Sequence, residues 1–157
     1  MMELLMGIAV LAILTTLAVP AFTQFIQNNR LAAQANEMVA SFQFARSEAL
    51  KRGVNVQACA SDDGANCSGA WTDGWIVIAD PGDDQELLRV WPAPEDGFQI
   101  TSATDSSNVG FRPTGASVGA VEQQFSLILS GCTNDNARNV FVERTGRVAS
   151  ERVDCPE

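Results

Sequence analysis

The sequence has no histidine and no tyrosine, and lysine occurs once, at Lys51. Without histidine, the commonest general base and metal ligand is missing from any catalytic constellation. The chain also has no G-x-S-x-G elbow, no phosphate-binding loop and no cysteine set beside a base. An enzymatic role therefore finds no support, and the chain is expected not to be an enzyme. None of the four cysteines, Cys59, Cys67, Cys132 and Cys155, is spaced as C-x-x-C. That spacing argues against zinc, and no metal or other cofactor is expected. Basic residues are scarce, with ten Lys and Arg against nineteen Asp and Glu, and the net charge is −9. Phosphate binding rests on Lys and Arg, so nucleic acid is not the default partner. No internal repeat, low-complexity tract or linker to a second domain interrupts the chain.

Charge is absent altogether from residues 4–22, LLMGIAVLAILTTLAVPAF, where Thr15 and Thr16 are the only polar side chains. A helix of that length, at about 1.5 Å per residue, comes close to the ~30 Å hydrocarbon core of a bilayer. Glu3 stands at its head. An acid at the membrane-side end of such a run is costly to desolvate and reads as functional; the plainer alternative is an acid solvated by lipid headgroups. A cleaved signal peptide fits less well. The run is longer than an h-region, no basic n-region precedes it, and Ala18-Val19-Pro20-Ala21 sets a proline inside the nearest small-residue site. All four cysteines lie beyond the run, as expected for two disulfides in an oxidising compartment such as a bacterial periplasm. The 157 residues accommodate one membrane-inserted helix and one globular domain of roughly 100 residues.

The helical pattern continues past Pro20. Leu31, Ala35, Met38, Phe42, Ala45 and Ala49 step by three or four, one apolar stripe at helical period. The opposite face carries Gln27, Arg30, Gln34, Glu37, Gln43, Arg46, Glu48 and Lys51, and Gly53 supplies a terminator. This predicts one helix over about residues 2–52, on the order of 75 Å long, with a kink or melted turn near Pro20, which lacks a backbone N–H. From residue 54 the texture changes to short β-rich runs: 54–60, 74–79, 86–90, 97–101, 108–112, 124–129, 139–143 and 147–151. Turn signals between them include Asp80-Pro81-Gly82-Asp83, Pro113-Thr114-Gly115 and Thr145-Gly146. The fold class expected is α+β: a long N-terminal helix, transmembrane in its first half, packed on an antiparallel β-sheet domain. The domain reading is 1–24 for the transmembrane or filament-core half and 25–157 for the globular part, with an amphipathic half-helix at 25–52 and β structure at 54–157.

Several segments resemble a known family. Met2-Glu3-Leu4-Leu5, Ile8-Ala9-Val10-Leu11-Ala12-Ile13-Leu14 and Ala18-Val19-Pro20-Ala21-Phe22 resemble the N-terminal helix of type IV pilins and type II secretion pseudopilins. Phe44-Ala45-Arg46-Ser47-Glu48-Ala49, Val54-x-Val56-x-x-Cys59, Trp71-x-x-Gly74-Trp75-Ile76-Val77, Phe111-x-Pro113-x-Gly115 and Thr145-Gly146-Arg147-Val148 resemble its GspH/FimT branch. The resemblance covers nearly the whole chain. It implies a pilin-like fold and a minor pseudopilin, a structural subunit of a type II secretion pseudopilus serving protein secretion across the outer membrane. The alternative is a type IV pilus minor pilin of FimU/FimT type, with DNA binding in natural transformation as a further option. Implied partners are other pseudopilins or minor pilins, the inner-membrane assembly platform and prepilin peptidase. The implied location is the bacterial inner membrane, single-pass, with the C-terminal domain in the periplasm.

The resemblance also gives residues roles. Glu3 matches the acid that pairs with the N-terminal ammonium of a neighbouring subunit, which rewards correct register in low dielectric. Family precursors resemble G-F-T-L-x-E, cleaved after Gly and methylated on the new Phe. Here Met1 and Met2 alone precede Glu3, and the expectation is that the natural start lies upstream. Four cysteines allow three pairings; proximity and the family's appearance favour Cys59–Cys67 and Cys132–Cys155 as structural staples. Asp80-x-x-Asp83-Asp84-x-Glu86 offers oxygen ligands of the kind calcium takes, as some pseudopilins do, but lacks EF-hand spacing and reads better as a solvated acidic loop. Trp71 and Trp75 read as core. Some FimT-type members bind DNA through an element resembling Gly-Arg-x-Arg. This chain has Gly146-Arg147-Val148-Ala149, which leaves Arg144, Arg147 and Arg152 as the DNA-contact candidates, interleaved with Glu143 and Glu151.

Overall fold

A computed structural model describes residues 2–82, 85–119, 121–132 and 136–156; within the helix, the side chains of residues 2–5, 9, 10, 17, 20 and 21 lie outside the description. The expectation that Glu3 pairs with a neighbour and the calcium reading at Asp83 and Asp84 thus fall on residues outside it. A single helix, α1, spans Met2–Arg52 with Lys51 and Arg52 in its last turn. It ends where the sequence places a glycine. Gly53 takes a left-handed φ of 70°, and its N–H donates to Ala49 O at 3.0 Å, a carbonyl otherwise left without a partner at the helix end.

Eight strands follow: β1 Val56–Ala60, β2 Gly74–Ala79, β3 Glu86–Pro92, β4 Phe98–Ser102, β5 Asn108–Phe111, β6 Gln123–Leu129, β7 Ala137–Val142 and β8 Val148–Val153. They form two four-stranded sheets, in the orders β3-β2-β1-β5 and β4-β6-β7-β8. Every pairing is antiparallel, from Val56 opposite Ala79 in the first sheet to Val142 opposite Val148 in the second. The regular spacing of runs gives the strands but not this partition. β5 leaves its chain neighbour β4 to pair with β1, with Val56 opposite Phe111.

The chain divides into two compact units, Met1–Arg30 and Leu31–Glu157. In the second unit the helix stripe is the centre of the core. Leu31, Ala35, Met38, Phe42, Ala45 and Ala49 are all essentially fully buried, in one cluster with Val56, Trp75, Val77 and Phe111 from the first sheet and Phe125, Leu127, Val140 and Val142 from the second. Alternation along the strands supplies these faces, and a helix apolar on one stripe completes the layer. Aromatic rings fill the middle. Phe42 lies 5.3 Å from Phe125 and 5.8 Å from Trp71 between centroids, and Trp71 lies 5.0 Å from Phe125. The Trp71 indole N–H donates to Ser106 O at 2.9 Å, so the ring is buried without losing its one hydrogen bond. At the edge of the first sheet, Arg89 stacks over Trp91 at 4.7 Å and over Phe44 at 5.8 Å.

Candidate assembly and interaction surfaces

The first unit is a stretch of α1 with large apolar side chains in solvent. Met6, Ile8, Leu11, Ile13, Leu14, Val19, Phe22 and Phe25 are each more than half exposed. An exposed apolar surface of this extent marks a site of interaction with protein or lipid. Its threonine hydroxyls are satisfied within the helix. The hydroxyls of Thr15, Thr16 and Thr23 donate to the carbonyls of Ala12, Ile13 and Val19 at 2.9, 2.7 and 3.0 Å. Such back-bonding lets a hydroxyl enter an apolar surrounding without an orphaned donor. Among the described residues, no helix is long and apolar enough to cross a membrane. Pro20 lies within α1 and, as a proline, offers no N–H to the Thr16 carbonyl.

In the second unit three of the family-like motifs meet at one side chain. Arg46, on the helix, donates from Nε to Gly115 O at 2.9 Å and from Nη2 to Thr145 O at 3.3 Å. Both acceptors are turn carbonyls with no place in a strand ladder, and the planar guanidinium fork suits two at once. The turns are tied to each other as well: Ser117 N–H donates to Arg144 O at 3.1 Å. Beside Arg46 runs an open groove of about 420 Å³, lined by Gln43, Arg46, Ser47, Leu50, Arg147 and Val148.

The three candidate arginines are not brought together. Arg144 and Arg147 flank the 145–146 turn, both exposed, and Arg147 Nη1 pairs with Glu143 Oε1 at 3.2 Å. Arg152 sits near the far end of β8, opposite Arg138 in the ladder, where its Nη2 donates to Asn136 Oδ1 at 3.2 Å. A β-strand rises about 3.4 Å per residue, and Arg152 stands four residues along β8 from Val148. Sequence reasoning missed Arg46 as a neighbour of Arg147. The motifs containing them were visible, but nothing local couples residues 69 and 99 apart from Arg46.

The structure joins Cys59 to Cys67 and Cys132 to Cys155, with Cα atoms 5.5 and 5.9 Å apart. The first bond closes a loop over the outer face of β1 and β2, where Cys59, Ile76 and Ile78 form a small buried cluster. Asp63 organises that loop. Its Oδ1 accepts the N–H groups of Ala65 and Asn66, both at 2.8 Å, and the Ser61 hydroxyl at 3.1 Å; its Oδ2 accepts the Asn66 side-chain amide at 2.8 Å. These donors, the Asn66 side chain and backbone first, hold the carboxyl far below its ordinary value of 3.8. At the end of α1, Glu48 bridges Lys51 and Arg52, and Arg52 reaches Glu86 on β3 at 2.7 Å. Hydrogen bonds from Arg52 and then Lys51 lower the Glu48 carboxyl. Glu86, one of the oxygen ligands considered for calcium, is thus engaged with a guanidinium. Among the described residues, no group of three or more His, Cys, Asp or Glu is placed to hold a metal ion.

A long helix whose second half lies across an antiparallel sheet domain is the pilin-like architecture. The minor pilin FimU of Pseudomonas aeruginosa superposes with a TM-score of 0.66 at 22% identity, over 81% of this chain and 92% of FimU. The minor pseudopilin EpsH of the Vibrio cholerae type 2 secretion system superposes at 0.59 and 11% identity, over 78% of this chain and 97% of EpsH. At these identities the likeness is one of fold. A comparison with curated proteins gives no match. The family model described as type II transport protein GspH matches residues 34–146, well over half the chain, and the chain belongs to that family. The family comprises pseudopilins and minor pilins, structural envelope-associated proteins that assemble with other subunits of their kind.

Proposed function

We propose that this chain is a minor pseudopilin, a structural subunit at or near the tip of a short filament anchored in the bacterial inner membrane, with its β domain in the periplasm. The observation that carries the proposal is the exposed apolar surface of α1 from Met6 to Phe25, with its threonine hydroxyls already bonded to the helix backbone. Water is a poor solvent for that surface, whereas a bilayer or a bundle of like helices is a good one. The segment resides in the membrane before assembly and in the filament core afterwards. Glu3 pairs with the N-terminal ammonium of a neighbouring subunit, and Pro20, which lacks a backbone N–H, is the weak point at which the helix adjusts between the two environments. Prepilin peptidase processes and methylates the N-terminus, and an inner-membrane platform extracts the subunit.

The host machine on this reading is a type II secretion system, in keeping with the family's description. A type IV pilus minor pilin is the second reading. It is favoured by a greater structural likeness to FimU than to EpsH. Deleting the gene in its host separates them: loss of exoprotein secretion with intact pili supports the first, and loss of pili with intact secretion supports the second. Retention of both, together with release of the chain from membranes by alkaline carbonate, would refute the proposal.

A further inference from the structure

We infer that the groove between α1 and the 145–146 turn is a docking site for an acidic peptide segment of a neighbouring filament subunit. The inference rests on the assembly role proposed above. The groove, about 420 Å³, is open and belongs wholly to the globular unit. Its lining is of two kinds. Arg46 and Arg147 supply positive charge, and Leu50 and Val148 supply an apolar wall, with Leu50 52% exposed. A half-exposed leucine next to the buried Ala49 near the end of α1 is uncovered apolar surface beside two guanidiniums.

The two arginines are prepared differently. Arg46 is held in place by the carbonyls of Gly115 and Thr145, so its position costs nothing further on binding. Arg147 is mostly exposed and bonded through Nη1 to the half-exposed Glu143, and an incoming carboxylate competes for it on equal terms. Arg112 and Arg144 occupy the adjoining turns, tied to them by Arg112 N–H donating to Ala116 O and Ser117 N–H donating to Arg144 O. Two of the ten cations in a chain of net charge −9 therefore line the groove, with two more on the turns beside it, and charge complementarity selects an acidic occupant. The occupant's carboxylate lies toward Arg46 and Arg147, and an adjacent apolar side chain covers Leu50. Nucleic acid suits this groove less well. It presents evenly spaced phosphates and no apolar side chain to cover Leu50.

The test uses the full-length chain in its host, with the photoreactive p-benzoylphenylalanine in place of Leu50 or, separately, of Phe25. The expected result at position 50 is a cross-link, identified by mass spectrometry, to an Asp- or Glu-rich peptide of another filament subunit. Arg147→Glu should lower its yield about fivefold and leave the position-25 cross-links unchanged. Cross-links at position 25 but none at position 50, or a position-50 cross-link indifferent to Arg147→Glu, would overturn the docking site and leave the assembly role standing. Cross-linking of position 50 to DNA would overturn the peptide assignment. No filament-subunit cross-link at either position would overturn both.

Discussion

Gly146 sits so close to Gly115 that a Cβ on it would overlap the Gly115 carbonyl oxygen. The two glycines belong to turns that lie next to each other beneath Arg46, and both take left-handed φ angles, 78° and 79°. Closeness and conformation thus each demand the absence of a side chain at position 146.

The two demands can be separated. Gly53 has a φ of 70° but, among the described residues, nothing within 4 Å of where a Cβ would stand. Gly53→Ala should cost about 1 kcal/mol, the left-handed penalty alone. Gly146→Ala should cost about 3 kcal/mol or more, because backbone must move as well. Urea denaturation followed by the fluorescence of the buried Trp71, Trp75 and Trp91 reads both. Equal losses would show that the turns are not held together.

Arg46→Ala removes the donors to Gly115 O and Thr145 O and should destabilise the domain by about 1–2 kcal/mol. Amide exchange should quicken at Ser117 and Gly146, whose N–H groups donate to Arg144 O and Glu143 O within the same corner. Arg46→Lys keeps the charge but not the fork, and should recover only part of the protection. Full recovery by lysine would mean that charge, not the paired carbonyl contacts, holds the corner.

The Asp63 loop gives a pH prediction. The folded-state pKa is depressed below the ordinary 3.8, so the loop's stabilisation is fully present above the unfolded value and is lost only as pH falls through the lower, folded one. NMR titration of the Asp63 carboxyl carbon should show a midpoint well under 3.8, with the Ala65 and Asn66 amides shifting in step. An ordinary midpoint would contradict the hydrogen-bonded arrangement.

Much of this architecture was legible in the residues because it rests on local periodicity. The stripe Leu31, Ala35, Met38, Phe42, Ala45 and Ala49 is fully buried as its spacing requires, and the helix stops at Gly53. Each of the eight β-rich runs overlaps a strand, with ends that differ by at most two residues, as at 139–143 against Ala137–Val142. Long-range choices were not legible. Which strands share a sheet depends on β5 finding β1 across the intervening β2, β3 and β4, and no residue in Asn108–Phe111 announces it. The same holds for the arginines. Arg144, Arg147 and Arg152 are close in sequence, yet the antiparallel register sends Arg152 toward Asn136 and leaves Arg147 with Arg46, a residue a hundred positions earlier in the chain.

In the proposed function the first half of α1 is the assembly element and Glu3 sets its register among neighbouring helices. The most direct measurement is immunodetection of the chain in filaments sheared from cells expressing wild type or Glu3→Ala, normalised to the amount in membranes. Wild type is expected in the filaments, and Glu3→Ala is expected to stay in membranes but fall about tenfold or more in filaments, because a neighbour's charge is left unpaired in low dielectric. Incorporation of Glu3→Ala at the wild-type level would contradict the proposal.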